Sequence, residues 1–206
     1  MDKSEIFIRL NEVMGKEQCA NLALDILESA TSLSFLFELT QNQKPQIEMR
    51  AAWVIATIAE RFPEALFPFS KTICDILLQS KNNSVARCLL KVLSIINLPE
   101  ERITQLLDFC TDVMLDRSKP VALPVYAMTI FYRISEIEPD LKYELREIVC
   151  HLMEEGAPAI MSRGKKILKT LEKEIRSFQL ISDWKKRFLK ALGYKNTPLK
   201  AYWLSR

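Results

Sequence analysis

The sequence predicts an all-α fold, a right-handed superhelix of about five stacked helical pairs with helical caps. Apolar residues recur with a helical period along almost the whole chain, and no comparable run alternates with a period of two. Only 4 of the 206 residues are glycine, where average usage of about 7% would give about 14. That scarcity disfavours the glycine-rich turns of sandwiches, barrels and dinucleotide-binding folds. A two-helix unit also repeats at intervals of 36 to 40 residues, which is typical of an α-solenoid.

Three helices within residues 1–43 are predicted to cap the N-terminal end of the stack. The apolar pattern places them at residues 4–14, 17–29 and 32–41. The third helix has no partner of its own in the repeat register, so we expect the first two to pair with it.

Three repeat units follow, and we place them at residues 44–82, 83–119 and 120–157. Superposing the units aligns three first-helix positions at intervals of 37 residues: Arg50, Arg87 and Pro124. Each unit also contains a proline before an acidic residue, near its middle: Pro63, Pro99 and Pro139. Proline suits the first helical turn because its missing N–H would be unpaired there, so each of these prolines is expected to begin a helix.

The last repeat helix is predicted at residues 158–180, which completes a helical repeat domain over residues 1–180. A separate basic helix and tail are predicted at residues 181–206. Ser182 is typical of an N-cap, and Gly193 is typical of the residue just past a helix end.

Five cysteines lie in apolar stretches of the predicted helices: Cys19, Cys74, Cys88, Cys110 and Cys150. Their number is odd, their spacings are wide and no CxxC motif occurs. This pattern predicts reduced thiols packed in the core, not disulfides or a metal site. Leu93 and Ile148 fall on the apolar stripes of their helices, so both are also expected in the core.

The sequence offers no converging set of catalytic residues, so it predicts no enzymatic activity, no cofactor and no metal site. His151 is the single histidine, and we expect it to be a half-buried structural residue. No phosphate-binding glycine loop, nucleophile elbow, zinc-protease motif or EF-hand loop occurs. Three aspartates at four-residue spacing are expected to form a solvated acidic stripe: Asp108, Asp112 and Asp116.

The opening of one leading helix, Arg50–Val54 (RAAWV), together with the turn prolines and the aliphatic second helices, resembles HEAT and armadillo-type helical repeat proteins. The resemblance covers roughly residues 31–176. It implies an α-solenoid, a fold that hosts many functions without specifying one. It also implies a bend at Pro124, because HEAT repeats often bend their first helix at a proline.

Basic and aromatic residues on the leading helices form the first candidate binding surface: Arg50, Trp53, Arg61, Arg87, Lys91 and Arg133. Arg50, Trp53 and Arg61 share one helix face, and stacked repeats would align such faces into a ridge. Arginine and tryptophan dominate binding hot spots, which favours a partner site. The same residues also fit a structural role, in which Trp53 fills the core between repeats and the arginines extend to water.

The C-terminal region provides the second candidate surface, because charge is unevenly distributed along the chain. Residues 1–157 have a net charge of −7, and residues 158–206 have a net charge of +10. The basic surface comprises Lys165, Lys166, Lys169, Lys173, Lys185, Lys186, Arg187 and Lys190. A basic amphipathic helix can bind phosphate backbone, an anionic membrane surface or an acidic protein groove, and it can equally cap the solenoid.

These observations predict a cytoplasmic, non-catalytic scaffold that binds a macromolecular partner on a helical-repeat surface. A protein partner is favoured, and nucleic-acid binding through the basic C-terminal region, related to DNA repair, is the alternative. No stretch approaches the about 18 uncharged apolar residues of a membrane span, and the acidic N-terminus is not typical of a signal peptide. An integral membrane protein is therefore not expected, and the oligomeric state is left open.

Overall fold

The computed structural model describes residues 2–12, 14–41, 43–154 and 156–191. In these ranges the chain forms ten α-helices, two 3-10 helices and no strand, which confirms the predicted all-α fold. The α-helices are α1 (Lys3–Asn11), α2 (Lys16–Leu27), α3 (Ala30–Glu38), α4 (Pro45–Arg61), α5 (Ser70–Gln79), α6 (Asn83–Leu93), α7 (Ile103–Leu115), α8 (Ala122–Ile137), α9 (Leu141–Glu154) and α10 (Pro158–Ala191). The 3-10 helices are Pro63–Phe69, before α5, and Glu100–Arg102, before α7.

The helices pack in two layers that run along the stack. One layer consists of α2, α4, α6, α8 and α10, each packed against the next. The other contains α5, α7 and α9, which touch one another at fewer positions and pack onto the first layer. Each helix thus contacts mainly its near neighbours in sequence, which is the packing of an α-solenoid.

Four helices of the first layer, α4, α6, α8 and α10, run parallel, so their C-terminal ends point the same way along the stack. Asn82, the N-cap of α6, donates a 3.2 Å hydrogen bond from Nδ2 to the carbonyl oxygen of Pro45 at the start of α4. Near the opposite ends, Arg133 of α8 donates to the carbonyl oxygen of Leu93, the last residue of α6. The first turns of α8 and α10 likewise line one cavity.

Helix pairing crosses the boundaries of the predicted repeat units. α5 packs on α6, α7 on α8 and α9 on α10, whereas the boundaries at residues 82/83 and 119/120 separate the first two of these pairs. The units at 44–82, 83–119 and 120–157 are therefore repeats of the sequence pattern and do not coincide with the packed helix pairs. The apolar core continues through their boundaries.

The turn prolines stand where helical turns begin. Pro63 is the first residue of one 3-10 helix, and Pro99 directly precedes the other. Pro139 lies in the turn before α9. Pro124 is the third residue of α8, within the first turn, where a proline removes no helical hydrogen bond. The bend expected at Pro124 is therefore not required by its position.

One apolar core extends from α1 to α10. Its centre is α4, where every residue from Ala51 to Ala59 except Trp53 is buried, because α2, α3, α6 and the first 3-10 helix surround α4. Leu93 is fully buried as predicted. Ile148 is only half-buried, because α9 belongs to the outer layer and presents a single narrow stripe to the core.

Four of the five cysteines are buried as predicted, and burial raises the pKa of the Cys74 thiol to about 11. The prediction is wrong for Cys150, which is exposed. Cys150 directly follows the buried Val149, and adjacent helix positions point about 100° apart. The apolar stretch around Cys150 therefore does not place that side chain in the core.

α10 is one continuous helix, so the N-cap expected at Ser182 is wrong. The predicted segments 158–180 and 181–206 share this helix. Neither proline nor glycine occurs between residues 165 and 191, and serine costs a helix interior only about 0.5 kcal/mol relative to alanine. Gly193 and the tail after residue 191 lie outside the described residues.

Candidate interaction surfaces

Two arginines of the first candidate surface bind helix ends within the chain. Arg50 of α4 donates a 2.7 Å hydrogen bond from Nη1 to the carbonyl oxygen of Leu10, near the end of α1. Arg133 of α8 donates in the same way to Leu93 at the end of α6. Carbonyls in the last turn of a helix lack intrahelical donors, and a cation there also complements the helix dipole. Both half-buried guanidinium groups therefore join one helix to the next.

Two further members of that surface also make contacts within the chain. Trp53 is half-buried and packs against the core. The Lys91 ammonium lies 2.5 Å from a carboxylate oxygen of Glu60. Arg61 and Arg87 are exposed. The structure thus leaves Arg61 and Arg87 as the accessible members, and the six residues do not form one open ridge.

Apart from the half-buried Arg163, the basic residues of α10 whose side chains the structure describes are exposed on one side of the helix. At 100° per residue they fall within an arc of about 100°, opposite the buried Ile167 and Leu171. No described acidic side chain lies within ion-pair distance of these residues. We call this set the basic stripe: Lys165, Lys166, Lys169, Lys173, Arg176 and Arg187. Arg176 was missed in the sequence analysis, and the side chains of Lys185, Lys186 and Lys190 lie outside the described residues.

The basic stripe continues along α10 past the last described contact with the core. Ile175 is the last described residue of α10 that packs against the core, and every described side chain from Arg176 onward is exposed. We call residues 176–191 the arm. Its 16 residues span about 24 Å at 1.5 Å per residue. The arm therefore offers an exposed face that continues the basic stripe: Arg176, Leu180, Trp184 and Arg187.

A polar clamp holds α10 to the body just before the arm begins. The hydroxyl group of Tyr132 on α8 donates a 2.6 Å hydrogen bond to Glu174 Oε1, and Lys142 Nζ of α9 lies 2.9 Å from Glu174 Oε2. Burial and the hydrogen bond to the carboxylate raise the pKa of Tyr132. Partial burial alone would raise the pKa of Glu174. The contacts with Tyr132 and Lys142 outweigh that effect, so the pKa of Glu174 is lowered. Three helices thus meet at one carboxylate.

The single histidine lies on the surface, so the expected half-buried position is wrong. His151 Nδ1 is 3.5 Å from Glu154 Oε2, and Nε2 is 3.4 Å from Arg117 Nη2. These contacts stabilise the end of α9 and leave no acid–nucleophile arrangement around the ring. In the part of the chain that is described, no three His, Cys, Asp or Glu side chains converge as metal ligands would.

The three aspartates of the predicted acidic stripe are exposed, Asp108 and Asp112 on α7 and Asp116 directly after its end. Asp116 accepts hydrogen bonds from the backbone N–H and hydroxyl group of Ser118, and these bonds lower its pKa. Within the described ranges, no helix combines the length and the apolar character needed to cross a bilayer.

Comparison with known proteins agrees with this architecture. The model of a HEAT repeat domain family matches residues 7–171. The crystal structure of an engineered protein superposes with a TM-score of 0.58 at 13% sequence identity, covering 82% of this chain and 80% of that one. At this identity the likeness shows the fold alone. No curated protein matches the chain significantly.

Proposed function

The chain belongs to the HEAT repeat domain family, and from that premise we propose that it is a non-catalytic scaffold that binds an acidic protein partner on the basic stripe of α10. The supporting observation is that the stripe is exposed and has no ion-pair partner among the described residues. Fixed cations on a rigid helix attract an acidic partner at long range and fix its register on docking.

The part of α10 before the arm, which we call its seated part, is suited to this role because the face opposite the basic stripe packs into the core. Ile167 and Leu171 are buried in the core while Lys165, Lys169 and Lys173 face solvent at four-residue spacing. Sites built on packed helices hold their side chains in position better than sites on loops. An acidic helix or extended acidic segment would therefore meet an aligned row of ammonium groups.

The test compares binding of a fluorescently labelled oligoglutamate peptide by two variants with the same net charge. The stripe variant contains Lys165→Gln, Lys169→Gln and Lys173→Gln. The matched control replaces three exposed lysines on other surfaces: Lys16→Gln, Lys71→Gln and Lys81→Gln. Loss of three exposed ion pairs at about 0.5 kcal/mol each predicts an affinity about tenfold weaker for the stripe variant. Equal weakening by both variants would show that net charge, and not the stripe, determines binding.

Nucleic-acid binding is the second candidate, and one observation favours it. Trp184 is 62% exposed on the arm, on the same side of the helix as Arg187, and proteins that bind single strands combine cations with aromatic residues that stack on bases. The same anisotropy assay with single-stranded and duplex DNA distinguishes the two functions. Binding to nucleic acid predicts an affinity for duplex DNA that falls with salt, with a log–log slope of about −0.9 per phosphate contacted. If that affinity is also lost in the stripe variant alone, the partner of the stripe is nucleic acid and not an acidic protein.

A further inference from the structure

The C-terminal ends of the parallel helices α4, α6 and α8 form an edge with exposed apolar side chains. Phe62 follows the last residue of α4, Ile95 lies just after α6, and Ile137 ends α8. Their exposed fractions are 39%, 40% and 56%. Three large apolar side chains in a row along one edge are more than the scattered surface residues of an ordinary monomer, and they indicate an interaction site.

The same edge is strongly acidic. Residues 60–64, 94–101 and 134–140 contain seven acids and one cation, Arg61. Lys91, which pairs with Glu60, and Arg133, which bonds the end of α6, lie beside them, so acids remain in excess. All seven acids are exposed: Glu60, Glu64, Glu100, Glu101, Glu136, Glu138 and Asp140. We call this surface, with its three apolar residues, the acidic edge.

The arm of α10 has the complementary composition. Residues 176–191 contain five cations and one acid. Leu180 and Trp184 on the arm are 66% and 62% exposed, and Arg176 and Arg187 flank them on the same side of the helix. The arm is thus basic and apolar where the edge is acidic and apolar.

We propose that two copies of this chain associate reciprocally, with the arm of each copy docked on the acidic edge of the other. We do not expect an arm to dock on its own edge, because α10 runs parallel to α8 and, with 34 residues against 16, continues past the end of α8. Since every copy has both surfaces, two contacts form at once around a two-fold axis, which closes the assembly as a dimer. The proposal goes beyond the proposed function, because it uses the arm and the edge and leaves the seated lysines accessible.

The dimensions of the two surfaces agree. Neighbouring packed helices are about 8–10 Å apart, so the row from α4 to α8 extends over about 20 Å. An arm of about 24 Å covers that row. Two such contacts place five apolar residues of each copy in the interface: Phe62, Ile95, Ile137, Leu180 and Trp184. A reciprocal contact therefore hides these side chains from water in a way that neither surface achieves in a single chain.

The experiment uses charge-swapped variants of the full chain in sedimentation velocity. The edge variant contains one reversal at each helix end: Glu64→Lys, Glu101→Lys and Glu138→Lys. The arm variant contains Arg176→Glu and Arg187→Glu. The matched control reverses three exposed acids away from the edge: Glu17→Lys, Asp108→Lys and Asp112→Lys. Circular dichroism verifies that each variant is folded, and all substituted side chains are exposed.

We expect the wild-type mass to rise from 23.8 kDa towards twice that value over a concentration range of roughly 1 to 100 μM, and the association to weaken with salt. The edge and arm variants should each raise the dissociation constant at least about tenfold, and the control should not. Mixing the edge and arm variants should restore dimers, because the reversed charges are again complementary. A wild-type monomer throughout this range, dimers that resist the reversals, dissociation by the control or a mixture without rescue would each overturn the proposal.

Discussion

Removing the carboxylate of Glu174 tests how α10 is held to the body. In the variant Glu174→Ala, the hydroxyl group of Tyr132 loses an acceptor at 2.6 Å and Lys142 loses its ion-pair partner at 2.9 Å. Because both partners belong to other helices, the variant removes the polar link of α10 to α8 and to α9 together. We expect α10 to separate from the body at a lower free-energy cost.

The magnitude follows from the geometry of the clamp. A hydrogen bond to a charged group contributes about 1.5–3 kcal/mol, and an exposed ion pair contributes about 0.5 kcal/mol. The side chains of Lys142 and Glu174 are 18% and 30% exposed, so water replaces part of each lost contact. The free energy of unfolding should fall by about 2 kcal/mol, which lowers the Tm by about 4–8 °C for a chain of this size.

The assay is thermal and urea unfolding followed by circular dichroism, in a double-mutant cycle with Tyr132→Phe. The coupling energy between Tyr132 and Glu174 should be about 1 kcal/mol. Glu172→Ala is the matched control, because Glu172 lies on the same helix but is exposed. A coupling energy near zero, or equal losses for Glu174→Ala and Glu172→Ala, would refute the clamp.

Three further outcomes are expected. The pKa of Glu174 is lowered by folding. Its carboxylate therefore contributes stability that is present above the unfolded pKa of about 4.3 and is lost as pH falls through the folded pKa. In thermal melts between about pH 6 and 3, the Tm of Glu174→Gln should fall less than the Tm of the wild type. Arg133→Ala leaves the carbonyl of Leu93 without its donor and should cost about 1–2 kcal/mol in urea unfolding, whereas Arg87→Ala at an exposed position should cost less than about 0.5 kcal/mol. A thiol reagent should label Cys150 rapidly in the native protein and the four buried cysteines only after unfolding; rapid labelling of a second thiol would contradict the buried positions.

The fold follows from the sequence because periodicity is a property of neighbouring residues. The first three helices were predicted at 4–14, 17–29 and 32–41, and they end within a few residues of those positions. Failures of this approach are local. Ser182 has the chemistry of an N-cap, but the surrounding residues favour a helix strongly enough to continue through it.

The role of individual side chains was harder to predict, because it depends on contacts between distant residues. Arg50 and Arg133 have the composition of a binding surface, yet each bonds a carbonyl 40 residues away. The clamp was not predicted at all, since Tyr132 and Glu174 are 42 residues apart. Exposure of the seated lysines, in contrast, follows from helical spacing alone, since hydrophobic residues occupy the opposite face.

The enclosure of α4 has a consequence for how the protein opens. In a stack held by nearest-neighbour contacts, the ends can unravel while the middle remains intact. Amide hydrogen exchange should therefore be slowest along α4 and its neighbour α6 and become faster towards both termini. Such a gradient would mean that the centre of the stack unfolds as one cooperative unit and that each end unfolds separately. A ligand on α10 would then slow amide exchange at that end and leave the exchange of α1 unchanged.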